Sequence, residues 1–148
     1  MNILKYITNW KYRYFLKKLK GVDCMIADLE FKRFKTREIR EQIRQEYDNL
    51  KAKLSVLETQ IKQQAEKPTM EKGEIARLDD QKVLLERDIK RKVEGDDGLQ
   101  IIGMKQLDMQ INGLAPSNEY PNGVQGINDQ LEALRELGEI LKDYIKSL

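Results

Sequence analysis

Apolar side chains recur along the first half of the chain at the alternating three- and four-residue spacing of a heptad repeat. The repeat stays in phase from Leu19 to Ile61, and the positions beside it are mostly Lys, Arg, Glu, Asp and Gln. Its positions, which we call the seam, are Leu19, Val22, Ile26, Leu29, Arg33, Thr36, Arg40, Ile43, Tyr47, Leu50, Leu54, Leu57 and Ile61. This spacing is typical of a helix that lies along another helix. It predicts one long helix over about residues 23–66.

A separate amphipathic pattern precedes the seam. The apolar positions of one helical face in residues 2–20 are Ile3, Ile7, Trp10 and Tyr14. Gly21 follows this stretch and offers a helix end or a hinge. The pattern therefore predicts a basic, aromatic amphipathic helix over residues 1–21.

A proline-containing break ends the long helix at Lys67-Pro68-Thr69, because the residue before a proline is pushed out of the helical region. Thr69 can cap a third helix that runs to about Glu94. The apolar stripe of that helix reads Ile75, Leu78, Lys82, Leu85 and Ile89. The two helices and their turn predict a long antiparallel, coiled-coil-like helical hairpin over residues 22–94. The third helix is shorter, so the first half of the long helix must pack against the first helix, the C-terminal helix or another subunit.

The C-terminal region, residues 95–148, begins with a Gly95–Gly98 turn. Residues 99–112 favour helix by composition, although part of the segment alternates like a strand, and both alternatives stay open. Residues 113–127 form a long loop, and Asn128 can cap a last helix. The stripe of that helix is Leu131, Leu134, Gly138, Leu141, Ile145 and Leu148, widened by Leu137, Ile140 and Tyr144. No internal repeat is apparent, and the predicted fold class is all-α.

The composition agrees with the all-α class and excludes several kinds of catalytic and metal-binding site. Charged residues make up 35% of the 148 residues, and the chain has three prolines and a net charge of +2. It contains no histidine and the single cysteine Cys24, which excludes Ser-His and Cys-His nucleophiles and imidazole metal ligands. The adjacent acids Asp79-Asp80 and Asp96-Asp97 are best explained as solvated surface. We predict no catalytic residue, no metal site and no cofactor, and hence a protein that is not an enzyme.

Three sets of residues are candidates for contact. The helix-packing set comprises Ile43, Leu50, Leu54, Leu57, Ile61, Leu78, Leu85, Ile89, Leu131, Leu134 and Leu141. A stripe of four arginines, suited to an acidic partner or phosphate, comprises Arg33, Arg37, Arg40 and Arg44. A membrane or subunit anchor comprises Ile3, Ile7, Trp10, Tyr14, Lys11, Lys17 and Lys18. For the stripe and the anchor, ordinary surface and ordinary helix packing are the competing interpretations.

These features predict a non-enzymatic structural or adaptor component of a protein assembly, such as a scaffold, a connector or a virion component. Its partners would be protein subunits, in a homo-oligomer or a multi-protein assembly. The alternative is a peripheral membrane protein anchored by residues 2–20, and a second alternative is a helical protein that binds nucleic acid. No stretch reaches the ~20 apolar residues of a membrane span. The charged N-terminus is unlike a secretory signal, so a cytoplasmic or virion location is expected.

Overall fold

A computed structural model of the protein describes residues 2–67 and 72–148. Its helices are α1 (Ile3–Thr8), α2 (Trp10–Ala65), α3 (Lys72–Glu94), α4 (Met104–Asn112) and α5 (Ile127–Ser147). A short 3-10 turn spans Asp97–Leu99. The described residues contain two isolated β-bridges and no strand, so the predicted all-α class is confirmed.

The chain forms two compact units. One comprises the N-terminal residues through Thr36 together with Met109–Leu148, and the other comprises Arg37–Asp108. α2 and α4 each contribute residues to both units, and the segments 1–21, 22–94 and 95–148 stay a prediction.

The predicted seam is the covered side of α2. Each of its positions from Leu19 to Ile61 is buried or half-buried, whereas most positions beside it are exposed. Even its polar members Arg33, Thr36 and Arg40 are covered. Hence the 3.5-residue spacing identifies the packed side of this helix, although apolar character alone would have left these three residues out.

In the unit Arg37–Asp108, the second half of α2 packs against α3. The buried side chains are Leu54, Leu57, Leu78, Ile89 and Leu107. Lys92 Nζ lies 2.5 Å from Glu46 Oε2, and Lys82 Nζ lies 3.9 Å from Glu58 Oε1. The later residue of α2 thus meets the earlier residue of α3, as in helices that run in opposite directions. Residues 68–71, which include the predicted break and the Thr69 cap, lie outside the described residues, and the hairpin over 22–94 as a whole stays a prediction.

In the other unit, the first half of α2 packs against α5. The rings of Phe15 and Tyr144 meet edge to face at 4.8 Å between centroids. Further along α2, Val22 Cγ1 lies 3.8 Å from where a Cβ on Gly138 would stand. The order of these contacts is again that of oppositely directed helices. The C-terminal helix, one of the three partners proposed from the sequence for the first half of this helix, is in contact with it.

The predicted helix end at Gly21 is wrong, and the interruption lies at Asn9 instead. Asn9 is extended (φ −112°, ψ 104°), and its side-chain oxygen accepts hydrogen bonds from the backbone N–H of Lys11 and Tyr12. This is the geometry of an N-cap, so α2 begins directly after Asn9. A mid-helix glycine costs only about 1 kcal/mol, which burial of the neighbouring Leu19 and Val22 side chains outweighs.

A pair of glycines joins α3 to α4. Gly95 has φ +72°, and a Cβ there would lie 2.5 Å from the carbonyl oxygen of Ile101. Asp96 and Ile101 exchange two backbone hydrogen bonds of 2.9 Å, which close the loop. At its end, Gly103 N–H donates to Gln106 Oε1 at 2.9 Å and starts α4. The helix therefore begins at Met104. The helical interpretation of residues 99–112 is right for Met104–Asn112 and not for the residues before Met104.

The same arrangement joins α4 to α5. Gly113 has φ +74°, Leu114 and Val124 exchange backbone hydrogen bonds of 2.7 and 2.8 Å, and Gly126 N–H donates to Asp129 Oδ2 at 3.4 Å. Gly126, and not Asn128 as predicted, is thus the N-cap of α5. The chain does contain a repeated feature, the helix–Gly–bridge–Gly–helix connection. Its two loops differ in length, so no fixed period in the sequence reveals it.

Truncation of Leu57 tests the packing of α2 against α3. Because Leu57 is only 6% exposed, Leu57→Ala should lower the free energy of unfolding by ~2–4 kcal/mol in urea titrations followed by circular dichroism. The neighbouring Val56 is 59% exposed, so Val56→Ala should change it by less than ~0.5 kcal/mol. Equal small effects at the two positions would show that Leu57 is not a core residue.

Alanine substitution of two glycines tests the helix boundaries. A Cβ at Gly21 would meet no atom within 4 Å, so Gly21→Ala should raise the free energy of unfolding by up to ~1 kcal/mol if α2 runs through this position. Gly95→Ala should lower it by more than ~1 kcal/mol, because its φ is positive and the Cβ meets backbone. Thermal denaturation of both variants provides the measurement. Destabilisation by Gly21→Ala would mean that a helix ends there after all.

Candidate functional site

The predicted arginine stripe does not form one uniform surface. Arg33 and Arg40 occupy seam positions and are half-buried, whereas Arg37 and Arg44 are exposed. Seam residues recur every three or four positions, so the arginines of the stripe alternate between the covered side of α2 and its edge.

Arg40 pairs with a carboxylate inside its own unit. Its Nε lies 2.5 Å from Asp108 Oδ1 and its Nη2 lies 3.3 Å from Asp108 Oδ2, a two-point contact that suits the planar guanidinium. Asp108 belongs to α4, which the Gly95–Gly103 connection starts. The sequence analysis did not identify Asp108 as an acidic partner of the stripe, because the secondary structure of residues 99–112 was left open.

Arg33 has a neutral partner in the other unit. Its Nη1 donates to Asn128 Oδ1 at 3.0 Å, and Asn128 Nδ2 in turn donates to Asn112 Oδ1 at 2.9 Å. In the same unit an ion pair joins α2 and α5, because Arg135 Nη2 on α5 lies 2.8 Å from Glu30 Oε1 on α2. No regular spacing in the sequence indicates that Asn128 accepts a hydrogen bond from Arg33.

Arg44 is engaged along its own helix. It lies 2.5 Å from Glu41 Oε1 and 2.9 Å from Asp48 Oδ2. The hydrogen bond from Arg44 lowers the pKa of the Glu41 carboxyl below its ordinary value, and the same bond raises the pKa of Arg44. Such exposed pairs contribute little to stability. Arg37, like Arg44, is exposed on α2.

The predicted anchor residues are all exposed. They are Ile3, Ile7, Trp10, Tyr14, Lys11, Lys17 and Lys18. α1 contains no buried residue. Two neighbouring aromatic residues behave differently, since Tyr12 is buried and Phe15 packs on Tyr144. The aromatic N-terminal segment therefore has a packed side and a free side.

Two further apolar surfaces are exposed. On α5, Leu137, Ile140 and Tyr144 border the covered stripe that contains Leu131. The sequence analysis noted that these three residues widen the apolar face of the helix. On α2, Phe31 and Phe34 are each at least 60% exposed.

The grooves between helices are open and shallow. In the unit Arg37–Asp108, a groove of about 450 Å³ has Glu46, Lys53, Asp88 and Arg91 among its lining residues. Both signs of charge are present there, so the groove does not favour one charged ligand. No group of three or more metal-ligating side chains occurs among the described residues, and Cys24 is exposed.

A double-mutant cycle on Arg40 and Asp108 tests whether the stripe stabilises the fold. Because both side chains are about a third or more exposed, their coupling should be ~0.5–1 kcal/mol in urea denaturation of Arg40→Gln, Asp108→Asn and the double variant. Arg37→Gln, the matched exposed control, should change the free energy of unfolding by less than ~0.5 kcal/mol. A coupling of zero would show that the Arg40 contact does not stabilise the fold.

Comparisons of the chain with protein-family models, with curated proteins and with solved structures find no match. The residues and surfaces described above are therefore the basis for a functional proposal.

Proposed function

We propose that the protein is a non-enzymatic structural or adaptor component that works through helix–helix contacts, and that it associates with copies of itself. One observation carries the proposal: among the described residues, exposed large apolar side chains outnumber the buried apolar ones. Where such side chains lie on the same helix face, as Leu137 and Ile140 do on α5, they are typical of interaction sites.

The outer face of α5 is the strongest candidate for the contact. Ile140 is 65% exposed and Leu137 is 44% exposed; Tyr144, whose ring also meets Phe15 of α2, is 41% exposed. The same helix buries Leu131 completely on its covered stripe. A helix with apolar residues on two sides typically lies between two packing partners. One partner of α5 is α2 of the same chain.

The charges of α5 are of both signs, which favours a protein partner. Lys142 Nζ lies 3.3 Å from Glu139 Oε1, so both signs occur side by side on α5. Phosphate-rich surfaces attract regions of positive charge alone, whereas mixed charges are typical of helices that pair with other helices. A second copy of α5 would offer the same mixed pattern in a two-fold contact.

Nucleic-acid binding through the arginine stripe receives less support from the geometry. Arg40 is engaged by Asp108 and Arg33 by Asn128, and Arg44 is paired along its own helix. A phosphate backbone would have to compete with these contacts. The geometry therefore favours the protein assembly.

Light scattering coupled to size-exclusion chromatography tests the proposal. The protein should show a mass that is a multiple of its 17.4 kDa at tens of micromolar. Leu137→Gln combined with Ile140→Gln should weaken association at least about tenfold, since buried interface anchors each contribute ~1 kcal/mol or more. The polar double variant Glu132→Gln and Lys146→Gln, at two exposed positions of the same helix, is the matched control and should keep the mass.

Two results would contradict self-association through α5. One is a mass of 17.4 kDa across the whole concentration range. The other is an oligomer whose mass is unchanged in the apolar double variant while its helix content by circular dichroism is intact.

A further inference from the structure

The N-terminal arm, which we define as residues 2–22, carries charge of one sign. Its basic residues are Lys5, Lys11, Arg13, Lys17, Lys18 and Lys20, and it contains no acid. The net charge of the whole chain is only +2, so the arm is far more basic than the rest. Such a concentration of positive charge favours a negatively charged surface as its partner.

The structure divides the aromatic residues of the arm between two roles. Tyr12 is buried, and Phe15 lies edge to face with Tyr144 of α5, so these two hold the arm on its own unit. Trp10 is 63% exposed and Tyr14 is 48% exposed. The arm is therefore fixed by one side and presents amphipathic rings on the other.

The exposed rings stand beside lysines. Lys11 Nζ lies 5.9 Å from the ring centroid of Trp10, and Lys18 Nζ lies 5.4 Å from that of Tyr14. Tryptophan and tyrosine beside lysine are typical of residues that sit at the level of lipid headgroups, where the ring is partly immersed and the ammonium meets phosphate.

α1 adds exposed apolar side chains to the same arm, and none of its residues is buried. Ile3, Leu4 and Ile7 are each more than 60% exposed. The helix has its own N-cap, because the backbone N–H of Lys5 donates to the Asn2 side chain at 3.2 Å. Asn9 separates α1 from α2, so α1 has its own caps, and binding would not remove a buried residue of α1 from the core.

We propose that the N-terminal arm binds an anionic lipid surface, with the rings of Trp10 and Tyr14 at headgroup depth and the lysines on lipid phosphates. The single sign of its charge distinguishes this arm from α5, which carries charges of both signs. No helix in the described part of the chain is long and apolar enough to cross a bilayer, so the arm lies on the surface. The proposal goes beyond self-association and uses different residues.

Trp10 is the only tryptophan, so intrinsic fluorescence of the full chain reports on the arm directly. Vesicles of phosphatidylcholine with 30 mol% phosphatidylserine should shift its emission to shorter wavelength, and pure phosphatidylcholine vesicles should not. The shift should diminish as salt rises from 50 to 500 mM, because screening weakens lysine–lipid attraction. Sedimentation with the vesicles gives the partition coefficient.

Matched variants separate the arm from the rest of α2. Lys11→Gln and Lys18→Gln should each lower the partition coefficient about fivefold, while Lys51→Gln, an exposed lysine beside Tyr47, should leave it unchanged. Ile7→Gln combined with Tyr14→Gln should lower it further. Phe31→Gln with Phe34→Gln, two apolar residues outside the arm that are each more exposed than Tyr14, is the apolar control and should leave the partition coefficient unchanged.

Three results would overturn the proposal. One is no fluorescence shift and no sedimentation with anionic vesicles. A shift that depends on protein concentration without lipid would show that a second copy covers the arm. An equal shift with a single-stranded oligonucleotide would show that the arm recognises polyanions and not lipid. None of these results depends on the mass of the α5 variants, so failure of lipid binding and failure of self-association are distinguishable.

Discussion

The heptad seam of α2 is the constraint on which the rest of the structure depends. A helix with an apolar residue every 3.5 positions exposes one continuous line of hydrophobic surface, and that line must be covered along its length. α5 covers it in one unit, and α3 covers it in the other. The connections with paired glycines serve this requirement. They turn the chain after α3 and after α4, so that α4 and α5 can pack against α2.

The polar members of the seam make this arrangement specific. Arg33, Thr36 and Arg40 are consecutive seam positions, and they fall where the residues of one unit give way to those of the other. Thr36 satisfies its buried hydroxyl by donating to the carbonyl of Lys32 at 2.8 Å. A polar residue in a helical seam weakens packing but selects one partner alignment. We infer that Arg40 selects the alignment that brings Asp108 opposite to it.

The sequence predicted the side of each long helix that packs, because periodicity depends only on local spacing. It did not predict that α2 runs through Gly21, since the burial of Leu19 and Val22 that outweighs a glycine is a tertiary effect. It also missed Asn9 as a helix start, because an isolated asparagine is common in many contexts. The partners Asp108 and Asn128 depend on where α4 and α5 begin, and that is decided by glycine pairs whose spacing differs between the two connections.

The connection between α4 and α5 has a consequence for how the chain can accept foreign sequence. Its base is closed by the Leu114–Val124 bridge and by the contact of Gly113 with Gly126, whereas residues 115–122 are mostly exposed. The shorter connection between α3 and α4 uses the same closure with fewer residues, so the closure does not depend on loop length. Doubling the length of a flexible loop adds only about 0.6 kcal/mol of closure entropy. Residues 115–122 are therefore a natural place to display an inserted epitope or label while the flanking helices stay in register.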